Sequence, residues 1–257
     1  MINIDSYAYS NNLKKIHPAE KSVFAVCTMT VCLTSPTVIT PLIILTLMAG
    51  GIISKAGIPV RVFLKLMLIP LSFLLLSVLT IAFSISTNPS GFWISQTMYG
   101  FTIGIYYPDL ITAIHLFLRS LGAVSCLYFL ALTTPMTEII SILHKLKVPA
   151  IITELMMLVY RFIFVLMETA ITIHRAQLSR SGYVSLKVSY RSLSRLFSAL
   201  LGKVFVKSQE LYNAMSARCY TGEIKVLTKK YPISLRNYIL IAGLELPLIL
   251  INLFNRV

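Results

Sequence analysis

One short box occurs twice in this chain: alanine, three residues, arginine, one or two small residues, tyrosine. The first copy reads Ala176-Gln177-Leu178-Ser179-Arg180-Ser181-Gly182-Tyr183. The second reads Ala214-Met215-Ser216-Ala217-Arg218-Cys219-Tyr220, with Thr221-Gly222-Glu223 behind it. In each the alanine lies four residues before the arginine, so in a helix the two share a face one turn apart. Each box sits near the end of a long helical pattern. A cation there suits the negative end of the macrodipole, and a following glycine can serve as the C-terminal cap. Two guanidinium forks at two helix ends suit docking onto acidic grooves of a soluble partner, because guanidinium binds carboxylates bidentately. The simpler alternative, an arginine that only caps its own helix, is weakened by the repetition.

Other chemistry is sparse. The sequence contains no Gly-x-x-x-x-Gly-Lys-Ser/Thr loop for nucleotide phosphates and no nucleophile elbow. His17, His115, His144 and His174 are scattered, with no pair at ligand spacing. Cys27, Cys32, Cys126 and Cys219 fall in or beside apolar runs without ligand spacing, which argues for neither disulfides nor a metal site. No cofactor is expected to be bound by this chain.

The elements that must carry the boxes follow from composition. Hydrophobic residues make up 56% of the chain and mean hydropathy is +0.80, which points to an all-α integral membrane protein. Residues 1–21 lack the apolar core and cleavage site of a signal peptide and read as an exposed lead-in. Apolar runs, breakers and flanking charge predict about five transmembrane helices, at 22–33, 38–53, 62–84, 110–132 and 235–254. Pro70 lies inside the third, a kink tolerated where neighbours re-satisfy the backbone. Domain boundaries are expected at 1–134 for the N-terminal membrane helices, 135–234 for a cytoplasmic module and 235–257 for a C-terminal membrane helix.

Orientation follows from lysine and arginine. Lys14, Lys15 and Lys21 precede the first span, 86–118 carries no Lys or Arg, and 135–234 is densely basic. The N-terminus is therefore expected inside, 86–108 outside and the basic segment inside. The net charge of +14 is concentrated on one membrane face, where anionic headgroups of the bilayer attract it. No aromatic-basic interleaving accompanies it, so nucleic acid is not an expected partner.

Within the inner segment three helices are predicted. Thr134 caps the first, whose first residue is Pro135, and it runs to about Lys147 before Pro149. The second runs from about Ala150 to Ser179, with Glu154, Arg161, Glu168 and Arg175 in one narrow stripe at a seven-residue period. We read it as lying against the inner face, since spanning would bury charge. The third runs from about Ser192 to Arg218 with an apolar stripe at helical spacing. In the membrane, Arg119, His115 and Glu245 are ionisable, and such residues pair or line a pathway. Arg119 and Glu245, at similar depth, are expected to form an intramembrane pair.

These residues resemble a known family. The runs Leu132-Thr133-Thr134-Pro135-Met136-Thr137-Glu138, Lys147-Val148-Pro149, Tyr160-Arg161-Phe162, Arg175-Ala176-Gln177 and Ala217-Arg218-Cys219-Tyr220-Thr221-Gly222-Glu223 are similar to CbiQ, as are Asp5, His17-Pro18 and Lys21 near the start. CbiQ is the transmembrane coupling component of energy-coupling-factor transporters for cobalt, with nickel-handling relatives. The resemblance implies a non-enzymatic subunit of a bacterial or archaeal cytoplasmic membrane, with long amphipathic coupling helices. Their boxes would seat on an ABC ATPase dimer through Ala176, Arg180, Gly182, Ala217, Arg218, Gly222 and Glu223. ATP would be bound by the ATPases, and the motion relayed to a metal-binding membrane substrate component, with a small accessory membrane subunit alongside. Cys219 stands where the family usually has glycine, and Ser181 separates Arg180 from Gly182. The alternatives are a coupling component for nickel or a vitamin, or an integral-membrane enzyme using Arg119, His115 and Glu245.

Overall fold

The computed structural model describes residues 4–86, 92–98, 101–220 and 235–254. They fall into two compact units, Met1–Ile139 with Lys230–Val257, and Ile140–Lys229.

The first unit begins with a short helix α1 (Ile4–Ser10) and a 3-10 turn at Asn12–Lys15. Helix α2 (Pro18–Thr34) starts where His17 Nδ1 accepts from the Ala19 amide and Pro18 occupies the first turn. Helix α3 (Ile39–Gly50) runs on as a π-helical turn, Gly51–Lys55. Gly57 then takes a φ of 74°, a left-handed conformation that any side chain would strain, with the Asn12 amide 2.9 Å from where a Cβ would sit. Helix α4 (Val60–Ala82) carries Pro70 within it.

Helix α5 (Tyr107–Thr133) is the centre of this unit, packing against α1, α2, α3 and α4. Cys32, Ile44, Met48, Ile52, Cys126 and Leu132 are buried in one cluster, and Phe24 meets Phe129 edge to face with ring centroids 5.6 Å apart. Gly122 permits a close crossing: a Cβ there would lie 2.7 Å from Cys32 Sγ and 3.3 Å from the Pro41 carbonyl.

Between α4 and α5, in the segment without lysine or arginine, lie three short antiparallel strands, β1 (Phe83–Ser86), β2 (Phe92–Met98) and β3 (Phe101–Tyr106), in the order β1-β3-β2. Phe83 pairs with Ile105, and Thr97 with Thr102. The sequence places 86–108 outside the membrane without predicting strands there. The protein is a multi-pass helical membrane protein, as expected, with this small sheet added.

Helix α6 (Met136–Lys145) leads into the second unit. It starts without the expected cap: the Thr134 hydroxyl is buried with no hydrogen-bond partner, and the Pro135 carbonyl accepts the first helical amides, those of Glu138 and Ile139. Two long helices follow, α7 (Ala150–Ser179) and α8 (Leu186–Ala217). Helix α8 starts six residues earlier than predicted, because Ser185 Oγ accepts from the Val188 amide and caps it. The last helix, α9 (Leu235–Phe254), returns to the first unit and packs on α2.

Among the described residues four helices are long and apolar enough to cross a membrane: α4, α5, α7 and α9. This differs from the predicted five spans. At 17 residues α2 reaches about 26 Å, short of the ~30 Å hydrocarbon core, and α3 with its π turn is no longer. Helix α7, by contrast, meets the length and hydropathy of a span despite its charged stripe.

Candidate coupling site

Both boxes end their helices in the same geometry. In the first, Arg180 is the C-cap of α7 with φ −103°, and Ser181 follows in the left-handed region at φ 55°. The Ser181 amide donates to the Leu178 carbonyl at 3.0 Å and the Gly182 amide to the Gln177 carbonyl at 2.8 Å. In the second, Arg218 is the C-cap of α8 with φ −97° and Cys219 has φ 55°. The Cys219 amide donates to the Ser216 carbonyl and the Tyr220 amide to the Met215 carbonyl, each at 3.1 Å. Both are Schellman terminations, in which paired backward bonds satisfy the last carbonyls.

This corrects the sequence reading of the caps. The left-handed residue is not Gly182 but Ser181, one position earlier. Cys219, where glycine was expected to be needed, adopts the same φ as Ser181. Gly182 is required for a different reason. A Cβ on it would lie 2.8 Å from the Gln177 carbonyl and 2.9 Å from Ser192 Oγ, and Ser192 Oγ donates to the Gly182 carbonyl at 2.7 Å. Gln177 Nε2 donates to the Ser192 carbonyl at 2.9 Å. These bonds tie the end of α7 to the start of α8.

The tyrosines of the boxes, three residues after Arg180 and two after Arg218, are also placed by hydrogen bonds, which spacing alone does not show. Tyr183 donates its hydroxyl to Gln177 Oε1 at 2.8 Å and lies 2.9 Å from His174 Nδ1, with the His174 ring packed against it. Tyr220 donates to Glu154 Oε2 at 2.6 Å. Since Glu154 is near the start of α7 and Tyr220 follows α8, the two helices run antiparallel.

The boxes therefore stand at opposite ends of one helix. The 32 residues of α8 separate them by about 48 Å. Ala176, Arg180, Ala217 and Arg218 are exposed, and among the described residues neither guanidinium enters an ion pair or side-chain hydrogen bond. Gly222 and Glu223 lie outside the described residues.

Arg119 and Glu245 are not brought together. Glu245 Oε1 is bonded to Thr28 Oγ1 at 2.5 Å, and among the described residues neither Arg119 nor Glu245 forms an ion pair. Matching depth was legible in the sequence. The helix faces were not: Glu245 points at α2, whereas Arg119 sits on α5, its carbonyl accepting from Cys32 Sγ. His115, the third intramembrane ionisable residue, has Nε2 buried without a hydrogen-bond partner among the described residues. No group of three or more His, Cys, Asp or Glu suited to a metal occurs among the described residues.

A second convergence escaped the sequence reading. Lys21 Nζ donates to the Thr133 carbonyl at 2.8 Å, 3.9 Å from Glu138, and Asn11 Nδ2 lies 3.2–3.3 Å from the carbonyls of Leu132 and Thr133. A cation and an amide thus cap the carbonyl end of α5, where the chain turns into α6.

Residues 10–229 match the profile of the CbiQ family, described as cobalt transport protein. The chain is 35% identical over 248 residues to an uncharacterized protein of Methanocaldococcus jannaschii, covering 96% of this chain and 91% of that one. It is 37% identical over 157 residues to the cobalt transport protein CbiQ of Salmonella typhimurium, covering 61% of this chain and 70% of the relative. A fused cobalt transport protein CbiMQ of Methanocorpusculum labreanum is 32% identical over 225 residues, 85% of this chain and 36% of that protein.

Proposed function

Because the chain belongs to the CbiQ family of cobalt transport proteins, we propose that it is the coupling subunit of an energy-coupling-factor importer. In this reading it binds neither nucleotide nor metal. It joins an ABC ATPase dimer inside the cell to a metal-binding membrane component, and its N-terminus is inside. Cobalt is the proposed cargo, on the printed names of the Salmonella and Methanocorpusculum relatives. The fused relative, of which this chain covers 36%, supports a second membrane component working beside it.

The observation that carries the reading is the identity of the two helix ends. Two guanidiniums, unpaired among the described residues and each on an arginine C-cap followed by a left-handed residue, stand about 48 Å apart along one helix. A dimeric partner offers two equivalent grooves, and a pair of equivalent plugs is what it would accept. ATP-driven movement of the two grooves would then move both ends of a single rigid element.

Arg180→Glu with Arg218→Glu tests this. Two charge-assisted contacts at roughly 1.5–3 kcal/mol each would weaken the association by at least about a hundredfold. The ATPases should separate from the membrane subunits during purification while this chain stays inserted. If the double variant co-purifies with ATPase and transports normally, the boxes are helix caps and no more. Orientation is checked separately with Lys187→Cys in a chain whose Cys27 and Cys219 are replaced: an impermeant thiol reagent added to intact cells should leave position 187 unlabelled.

A further inference from the structure

Helix α9 meets α2 through three polar contacts on one face. Asn237 Nδ2 donates to Glu20 Oε2 at 2.7 Å, Glu245 meets Thr28 at 2.5 Å, and Asn252 Nδ2 donates to the Val31 carbonyl at 2.9 Å. The α9 positions are spaced by eight and seven residues, about two turns each, so they form one row. Both series rise together, so the two helices run parallel.

The middle contact has a proton count that does not close if Glu245 is ionised. Thr28 Oγ1 lies 2.6 Å from the Phe24 carbonyl oxygen and 2.5 Å from Glu245 Oε1. Oxygens this close are held by a hydrogen between them. A threonine hydroxyl carries one hydrogen, a backbone carbonyl none, and an ionised carboxylate none. Two short contacts therefore need two hydrogens, and Thr28 supplies only one. The second must come from the carboxyl.

The surroundings agree independently. Glu245 is 6% exposed, and its Oε2 is buried with no hydrogen-bond partner among the described residues. Among the described residues no ionisable side chain forms a hydrogen bond or ion pair with Glu245, whose bonded partner is the Thr28 hydroxyl. A carboxylate would leave a full charge uncompensated there. A neutral acid leaves only an unpaired carbonyl oxygen, a far smaller desolvation cost.

We propose that Glu245 is a protonated, neutral carboxylic acid, donating its hydrogen to Thr28 Oγ1 while Thr28 donates its own to the Phe24 carbonyl. The relay runs O–H to O–H to C=O and fastens α9 to α2 without charge at mid-helix. Glutamine carries a donor and a carbonyl at the same positions, so it should replace the acid.

The test compares the full chain in lipid nanodiscs with Glu245→Gln at neutral pH. The infrared difference spectrum should contain the C=O stretch of a protonated carboxyl, shifted by deuterium exchange. The thermal midpoint of Glu245→Gln should match that of the unsubstituted protein, while Glu245→Ala lowers it. A carboxylate stretch in place of the acid band overturns the proposal, and so does a Glu245→Gln midpoint as low as that of Glu245→Ala. Neither readout involves the ATPase contacts, so this result is independent of the coupling role.

Discussion

The membrane bundle and the α7–α8 hairpin are both helical and both apolar, yet they use apolar residues oppositely. In the bundle, Cys32, Ile44, Met48, Ile52 and Leu132 are fully enclosed by neighbouring helices. In the hairpin, the buried residues of the 32-residue α8 are Ser192 and Leu196, while Phe197, Leu201 and Phe205 of its stripe remain exposed. The bundle is specified by close packing. The hairpin is specified at its ends, by the Ser185 cap, the Gly182–Ser192 bonds and two Schellman terminations. Hydrophobic periodicity announces a helix in both cases, but not what covers it.

Glycine gives the sharpest contrast. Gly122→Ala sets a Cβ against Cys32 Sγ and the Pro41 carbonyl, and overpacking of this kind costs roughly 1–3 kcal/mol. Gly202→Ala on α8 meets nothing within 4 Å and should stabilise its helix by about 0.5–1 kcal/mol. Thermal unfolding of the two variants in detergent should shift in opposite directions, and equal shifts would abolish the distinction.

A tight glycine at a hairpin end should act locally. Gly182→Ala collides with the Gln177 carbonyl and Ser192 Oγ, so the turn between α7 and α8 must open. We expect a loss of about 1–2 kcal/mol, with amide hydrogen exchange rising at residues 177–192 and unchanged in α5.

The opposite change belongs at the left-handed positions. Cys219→Gly removes the Cβ clash of a non-glycine residue at φ 55°. After the extra entropy of glycine the net gain should be up to about 1 kcal/mol, read as a small rise in thermal midpoint. Ser181→Gly should behave alike, and opposite signs would break the equivalence of the two boxes. The smallest effect is expected for Tyr220→Phe. Its bond to Glu154 is exposed, so a loss near about 0.5 kcal/mol is anticipated, again by thermal unfolding.

Much of this was legible in the sequence, for identifiable reasons. Helix α7 begins after Pro149 and ends at Ser179 as read, because a proline and a terminal box bracket it, and α9 also matches. The arginine boxes were visible as repeated spacing. The left-handed residues were not, since neither Ser181 nor Cys219 is the glycine that normally signals such a turn. The start of α8 was missed because Leu186 to Arg191 alternate apolar and polar residues before the helical stripe begins. The Arg119–Glu245 pairing failed because depth along a helix can be counted from sequence, whereas azimuth depends on how helices rotate against one another.

The seam between α2 and α9 also bears on biosynthesis. Thr28 and Glu245 are separated by 217 positions in the chain, so α2 emerges from the ribosome long before its partner exists. Domains fold largely in the order of their synthesis, yet the α9-facing side of α2 stays uncovered until α9 is made. Any quality-control protease that recognises the uncovered Thr28 and Val31 surface of α2 would read the absence of α9 as incompleteness. The synthesis of α9 thus becomes the moment at which this face of α2 is covered.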